Sequence, residues 1–366
     1  MFDMDWTGET TLKPLRTGRT LGQLIEEYKA DRVSRYRKLR YPTRVNHDHL
    51  LRRMTETYGD LLMSEITART LEEMHIHWTN DGETIAMGHS FMSKLRTICK
   101  YGSGMLRDRD CTEICNAIAS RRDDTFGERN DAFLTIDQAI AIREKAREIG
   151  YFSIAMAQAL QFDTLLRQKD CIGEWVPLDE PGQSTVIRGG WKWLRGVTWE
   201  EIDHNLVLNH VTSKKQKRLI LPLAEAPMVV EELRHVPDWL KNLGGPLIVY
   251  EASAYPWKAV KFRQIWRKIA DICGVPKEVK NMNSRAGGIS EGIKAGIPLE
   301  FMRHAAKHSD IQMTQRYDRN EHELAAEALR RRVASREEIA RREAANDAYL
   351  EQLRADEAEA EAEAMR

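Results

Sequence analysis

Through its first nineteen residues the chain has no periodic spacing of apolar positions. Pro14 and Gly18 punctuate a polar run there, so residues 1–19 are expected to be a flexible leader. Helical spacing starts at Thr20-Leu21-Gly22-Gln23, which has the form of a capping box, and Leu21, Leu24, Ile25 and Tyr28 follow it on one face. Similar spacing through Arg44–Thr57, Thr67–Trp78 and Ser90–Leu106, without strand-like alternation, predicts an all-helical domain over residues 20–122. A polar stretch with no apolar period, expected to be a linker, covers residues 123–133.

The second domain is expected over residues 134–330. A second capping box at Thr135-Ile136-Asp137-Gln138 opens an amphipathic helix that Gly150 ends. Between Trp191 and Leu223 the pattern changes: Val197 and Trp199, Leu206 and Leu208, then Leu219, Leu221 and Leu223 alternate with polar residues. This predicts one small antiparallel sheet whose hairpin tip is basic, Ser213-Lys214-Lys215-Gln216-Lys217-Arg218. After Pro256 the spacing is helical again, with Gly296 and Pro298 parting two helices. Residues 331–366 mix Ala, Glu and Arg and should form an acidic surface helix or a partly disordered tail. The fold class expected is therefore mainly α with a small antiparallel sheet.

Composition excludes several classes. The longest apolar stretch, Phe152 to Phe162, is broken by Ser153 and Gln158 and is too short for a bilayer, and Asp3, Asp5 and Glu9 spoil any secretory signal. No membrane partner is called for, and a cytoplasmic location is expected. The five cysteines include no C-x-x-C pair, which argues for reduced thiols and against a disulfide framework or a zinc ribbon. Formal net charge is zero, but it is the sum of unlike segments. From Lys29 to Arg53 there are nine cations (Lys29, Arg32, Arg35, Arg37, Lys38, Arg40, Arg44, Arg52, Arg53) against Asp31 and Asp48, whereas Glu337 to Arg366 has ten acids against four arginines. A charge run is ordinarily a solvated face; a basic one is also the footprint of a phosphate backbone.

Four short motifs carry candidate chemistry. They are Thr164-Leu165-Leu166-Arg167 with Asp170 three residues on; the basic hairpin tip before Leu219-Ile220-Leu221-Pro222; Asn283-Ser284-Arg285 opening a helix; and Lys307-His308-Ser309 with Tyr317 nine residues after the histidine. Taken singly each has a plain reading, since an Arg-x-x-Asp pair is commonly a surface ion pair and a late helical tyrosine commonly packs. His304 and His308 also lie at zinc-ligand spacing, but Ala305 stands where the glutamate of a His-Glu-x-x-His site would be, so no metal or other cofactor is expected.

In order and spacing the four motifs resemble the catalytic boxes of the tyrosine site-specific recombinases, the phage-integrase family. The resemblance implies an all-helical core-binding domain followed by a catalytic domain that cuts and rejoins double-stranded DNA through a 3′-phosphotyrosyl link. It assigns Arg167 and Arg285 to the scissile phosphate as forked donors, His308 as a further donor, Tyr317 as nucleophile and Lys214 as the acid for the 5′-oxygen, with Asp170 supporting. Lys215 and Lys217 join the Lys29–Arg53 cations as DNA-binding candidates. Four protomers are implied on paired sites, passing through a four-way junction, with accessory directionality factors as further partners. The helical domain would complete a C-shaped clamp, and the carboxy-terminal helix would dock on a neighbour. A separate arm-binding domain is expected to be missing.

Two positions depart from the family: the glycine of its first arginine box, Thr-Gly-Leu-Arg, is Leu165 here, a minor departure, and the other matters more. The residue three before the second arginine is usually histidine and here is Met282, which neither donates a strong hydrogen bond nor moves a proton. A polar neighbour (Lys280, Asn281 or Asn283) could take that role. The alternative is a DNA-binding architectural protein of the same fold with weakened or lost catalysis. A type IB topoisomerase would share the chemistry without site specificity, but the box order and size resemble the integrases more.

Overall fold

The computed structural model describes residues 18–121, 132–214, 216–318 and 321–364, so the expected leader up to residue 17, most of the expected linker, and Lys215 lie outside the described residues. The chain forms two compact units that divide at Asn130 and Asp131. The mainly α architecture with small antiparallel sheets is present.

The first unit is built from helices α1 (Leu21–Ala30), α2 (Tyr41–Tyr58), α3 (Ala68–Thr79), α4 (Ile85–Met105) and α5 (Arg109–Ser120), with a 3₁₀ turn at Arg35–Lys38. Thr20 caps α1 as its sequence predicts, accepting from the Gln23 amide while the Gln23 side chain accepts from the Thr20 amide. The face carrying Leu21, Leu24, Ile25 and Tyr28 is buried against Leu51, Met54, Phe91 and Leu95, each such side chain contributing roughly 1.5–3 kcal/mol. Trp78 and Phe91 stack with ring centres 4.8 Å apart, locking α3 on α4.

Helix boundaries differ from the sequence reading where a residue read as a breaker is placed to be harmless. Pro42 falls in the first turn of α2, where its missing N–H is not needed, so the helix begins at Tyr41 instead of Arg44. Helix α4 starts at Ile85 rather than Ser90 because Gly88 is the point of contact with α3; a Cβ there would stand 3.0 Å from His75 Nε2. Helix α5, which the apolar spacing did not reveal, is capped by Asp108, whose carboxylate accepts from the Cys111 amide at 3.1 Å.

The second unit contains α6 (Ile136–Glu148), α7 (Phe152–Asp163), α8 (Gln168–Ile172), β1 (Glu174–Pro177), β2 (Ile187–Arg188), β3 (Trp191–Leu194), β4 (Val207–Val211), β5 (Arg218–Pro222), α9 (Pro227–His235), α10 (Asp238–Lys241), β6 (Val249–Tyr250), β7 (Tyr255–Pro256), α11 (Ala259–Ile272), α12 (Asn283–Lys294), α13 (Leu299–Ala305), α14 (Ile311–Gln315) and α15 (Glu321–Ala364). Helix α7 is the axis. Every residue from Ser153 to Phe162 is buried, which is why its stretch is apolar all round rather than on one stripe. Helices α6, α9 and α12 pack round it. The described side chains of α15 are almost all exposed, and this helix runs without a break through residue 330, where the catalytic domain was expected to end.

The single sheet expected between Trp191 and Leu223 is a correction. Strands β4 and β5 form the basic hairpin, with Val211 opposite Arg218, but Trp191–Leu194 belongs to a separate sheet ordered β1-β3-β2. The chain leaves for that sheet at Gly173 and returns at Gly196. Any side chain at either glycine would collide with the Trp193 ring, whose Nε1 donates to the Ile172 carbonyl at 2.9 Å. The Val197 amide then donates to the Asp170 carbonyl at 2.9 Å, closing the excursion just after Arg167. Trp199, read as a strand residue, starts a 3₁₀ turn capped by Glu201, which accepts from the Thr198 amide at 2.9 Å.

Candidate active site

Arg167 stands where α7 gives way to α8. Helix α7 ends at Asp163, Leu165 takes left-handed backbone (φ 57°), and Arg167 becomes the residue before α8. Asp170, buried, organises this corner. Its Oδ2 accepts from the Arg167 amide at 3.3 Å, and its Oδ1 accepts from the Ser213 amide at 2.6 Å. The same carboxylate therefore anchors the base of the β4–β5 hairpin, one residue before Lys214. Lys214 itself is exposed, as is Lys217.

Arg285 lies in the first turn of α12 and points inward. Its Nη1 donates to the Leu165 carbonyl and its Nη2 to the Ala306 carbonyl. Burial, and after it the Arg167 cation, pull its pKa down to about 10. The Arg167 guanidinium lies 3.9 Å from Asp170 Oδ2, and among the described residues Arg285 has no paired carboxylate.

His308 is buried to 3% exposure beyond the left-handed Lys307 (φ 50°), which turns the chain from α13 into α14. Its Nδ1 lies 3.0 Å from Thr314 Oγ1. Burial first, then Arg285 and Arg167, hold its pKa down at about 4, so the ring is neutral at pH 7. Tyr317 stacks on it, ring centres 5.6 Å apart and planes 14° from parallel, and the Tyr317 carbonyl accepts from Ser290 Oγ on α12 at 3.0 Å. Arg167, Arg285, His308 and Tyr317 thus come together from three separate stretches of chain, with the hairpin base tied beside them through Asp170.

Met282 is 72% exposed and precedes the first residue of α12. Of its polar neighbours, Asn283 is engaged at both ends, donating to the Ala132 carbonyl and accepting from the Lys280 amide, each at 2.7 Å. Lys280 is exposed, whereas Asn281 is buried with neither amide atom bonded.

Several residues that support this corner carried little signal in the sequence. Gln158, an interruption of the apolar stretch, accepts from Trp266 Nε1 at 2.9 Å and from Ser284 Oγ at 3.1 Å, linking α7, α11 and α12 in the core. Arg267 donates to the carbonyls of Val275, Pro276 and Val279, holding the loop that leads into Met282 and Arg285. Neither residue belongs to a recognisable spacing, because each acts on groups brought near by the fold.

The basic stripe of the first unit is dispersed. Arg32, Arg35, Arg37 and Lys38 are exposed in and before the 3₁₀ turn. Arg44 donates to the Leu39 carbonyl at 3.1 Å, Arg53 lies 4.9 Å over the Phe91 ring, Lys29 lies 3.6 Å from Glu26 and Arg52 lies 3.7 Å from Glu56. Arg40 is half-buried. Among the described residues no group of His, Cys, Asp and Glu could hold a metal, and no helix is long and apolar enough to cross a membrane.

A helical unit joined to an α-helical unit with a basic hairpin, in which two arginines, a histidine and a tyrosine converge, defines a class of fold that solved structures also contain. It is the tyrosine-recombinase fold. A lambda integrase dimer bound to a COC′ core site is similar to this chain at 18% identity, covering 82% of this chain and 97% of that one with a TM-score of 0.62. The Tn1549 transposon integrase in complex with transposon right-end DNA covers 86% of this chain and 99% of its own, at 14% identity and a TM-score of 0.60. A lambda integrase tetramer bound to a Holliday junction matches at 17% identity over 82% of this chain and 78% of that one, with a TM-score of 0.59. No family model and no curated protein matches the sequence.

Proposed function

We propose that this protein is a site-specific recombinase that cuts and rejoins double-stranded DNA with Tyr317. One observation carries the reading: Arg285, half-buried and close enough to Arg167 to feel its charge, is held by two backbone carbonyls with no ion-paired carboxylate of its own among the described residues, near His308 and Tyr317. Two like charges kept near each other, one of them partly desolvated, repel. An anion between them removes that penalty, and a phosphodiester fits a pair of guanidinium forks.

On this reading Arg167 and Arg285 bind the non-bridging oxygens and stabilise the charge that grows on the pentacoordinate phosphorus. The Tyr317 hydroxyl oxygen, its proton passing to solvent, forms the new bond to phosphorus as the bond to the 5′-oxygen breaks, and Lys214 gives that oxygen a proton and regains one from solvent. With the Thr314 hydroxyl donating to Nδ1, His308 carries its proton on Nε2 and donates it in a hydrogen bond to the phosphate. Attack by a 5′-hydroxyl of a second strand reverses the steps, and the phosphotyrosyl bond conserves the energy of the broken linkage, so no ATP is consumed. Strand exchange needs two sites at once, which supports a homotetramer on paired sites. The solved DNA complexes of lambda integrase as a dimer and as a tetramer support the same assembly.

The test is a suicide DNA substrate whose cleaved 5′ fragment diffuses away. The wild-type protein is expected to form a covalent adduct. Tyr317→Phe is expected to form none while binding DNA with the same affinity, and an adduct with the Phe variant would place the nucleophile elsewhere.

The exposed thioether of Met282 favours a second reading, a DNA-binding protein whose cleavage is weakened because one polar donor is gone. Loss of a transition-state donor typically costs about 10²–10³ in rate. Met282→His is then expected to raise single-turnover cleavage. An unchanged rate would mean that position 282 does not face the phosphate or that a neighbour already serves.

A further inference from the structure

The peptide two residues before Arg167 is held in a conformation that leucine rarely adopts, with φ 57° at Leu165. Such a backbone persists only where the surroundings over-determine it. Here two sets of contacts do so. The Leu165 carbonyl accepts from Arg285 Nη1, and the Leu165 side chain, 6% exposed, fills a small apolar cluster with Ile289, Met302 and Ala306, against which Tyr317 packs.

That cluster is separate from the main core, and α12 is shaped to receive it. A Cβ at Gly288 would lie 2.3 Å from the Phe162 carbonyl oxygen and 2.7 Å from Leu165 Cδ2, so the glycine lets α12 approach both the end of α7 and Leu165. One turn on, a Cβ at Gly292 would lie 2.6 Å from Met302 Sδ. The opposite wall is Ala306, whose carbonyl accepts the other Arg285 nitrogen and which lies two residues before His308. One side chain therefore joins the corner carrying Arg167 to the segment carrying His308 and Tyr317.

Building on the proposed role of Tyr317 as nucleophile, we propose that Leu165 is a positioning residue: its side chain is the seat on which the Tyr317 segment docks. Glycine at this place would relieve the backbone and remove the seat. The left-handed leucine is then kept for the docking it provides.

Leu165→Gly separates the two effects, because glycine accepts φ 57° without strain, and a cooperative thermal melt checks that the variant is folded before it is assayed. With wild-type DNA affinity, it is expected to form the suicide-substrate adduct at least tenfold more slowly. Trypsin is expected to cut after the exposed Arg316 at least fivefold faster, while Leu165→Met restores both values. Leu165→Asn, which also tolerates left-handed backbone, should behave like Gly. A Gly variant that cleaves DNA as fast as wild type and shows unchanged trypsin sensitivity overturns the proposal. Should the wild-type protein form no adduct, the function proposed above fails instead, and proteolysis still decides the seat: faster cutting in Leu165→Gly upholds it and an equal rate overturns it.

Discussion

The molecule holds its cations in two opposite ways. In the first unit Arg32, Arg35, Arg37 and Lys38 stand in water, where each costs little and any anionic surface that comes near is attracted. In the second unit Arg285 is half-buried within reach of the Arg167 charge, and burial, then that charge, bring its pKa down to about 10. Two histidines repeat the contrast. His47 is buried on α2 with Nε2 at 2.6 Å from Lys94 Nζ, a partner that satisfies it; His308 is buried near Arg285 and Arg167, of which only Arg167 has a carboxylate within 4 Å among the described residues, Asp170 at 3.9 Å. Exposed cations can attract any polyanion, whereas buried ones select a group of matching charge and shape.

The sharpest way to break this contrast is to keep the charge and remove the fork. Arg285→Lys retains a cation but cannot donate to both carbonyls and a phosphate oxygen in one plane, so single-turnover cleavage is expected to fall by about 10²–10³ with DNA affinity nearly unchanged. The same exchange at Arg37 should have almost no effect. If both lysine variants cleave equally well, the buried arginine is no more specialised than the exposed one.

Acidification tests the two histidines. Both pKa values are held at about 4, below the ordinary value near 6.5, so the unfolded chain takes up protons first as the pH falls. Their contribution to stability is whole above about pH 6.5 and diminishes as the pH drops toward 4, a decrease on the order of a few kcal/mol that thermal melting should register. Inorganic phosphate sharpens the comparison: it should raise the pKa of His308 and leave that of His47 in place, as followed by imidazole resonances in NMR. Equal responses would remove the distinction between them.

The smallest expected effect belongs to the exposed cations. Replacing Arg35, Arg37 and Lys38 by alanine should lower the salt slope of DNA binding by roughly 0.9 for each phosphate that is no longer neutralised, and leave cleavage at saturating DNA unchanged. An unaltered slope would identify that turn as a solvated face.

Much of this architecture is legible before any coordinates. Both capping boxes, at Thr20 and Thr135, form as their spacing requires, because a cap is satisfied within four residues and needs nothing distant. The hairpin that carries Lys214 is likewise local. What the pattern mistook are the places where a distant contact overrides a local signal: Gly88 inside α4 because α3 needs the space, and Trp191–Leu194 drawn into a separate sheet because Trp193 seals the pinch between Gly173 and Gly196. Arg267 and Gln158 were not legible as supports, since their partners lie on other elements.

The sequence by itself determined the helical character of the first unit and the capped starts of α1 and α6, the chemical types at positions 167, 214, 285, 308 and 317, and the basic run in the first unit, all of which follow from local spacing and side-chain chemistry. Only the tertiary structure decided that Arg285 has two carbonyls and, among the described residues, no paired carboxylate, that Asp170 ties Arg167 to the hairpin base, that Met282 faces solvent, and that Leu165 lies left-handed in the apolar cluster against which Tyr317 packs. The physical reason is that desolvation and charge proximity depend on distances between segments far apart in the chain, and those distances exist only once the core around α7 has formed.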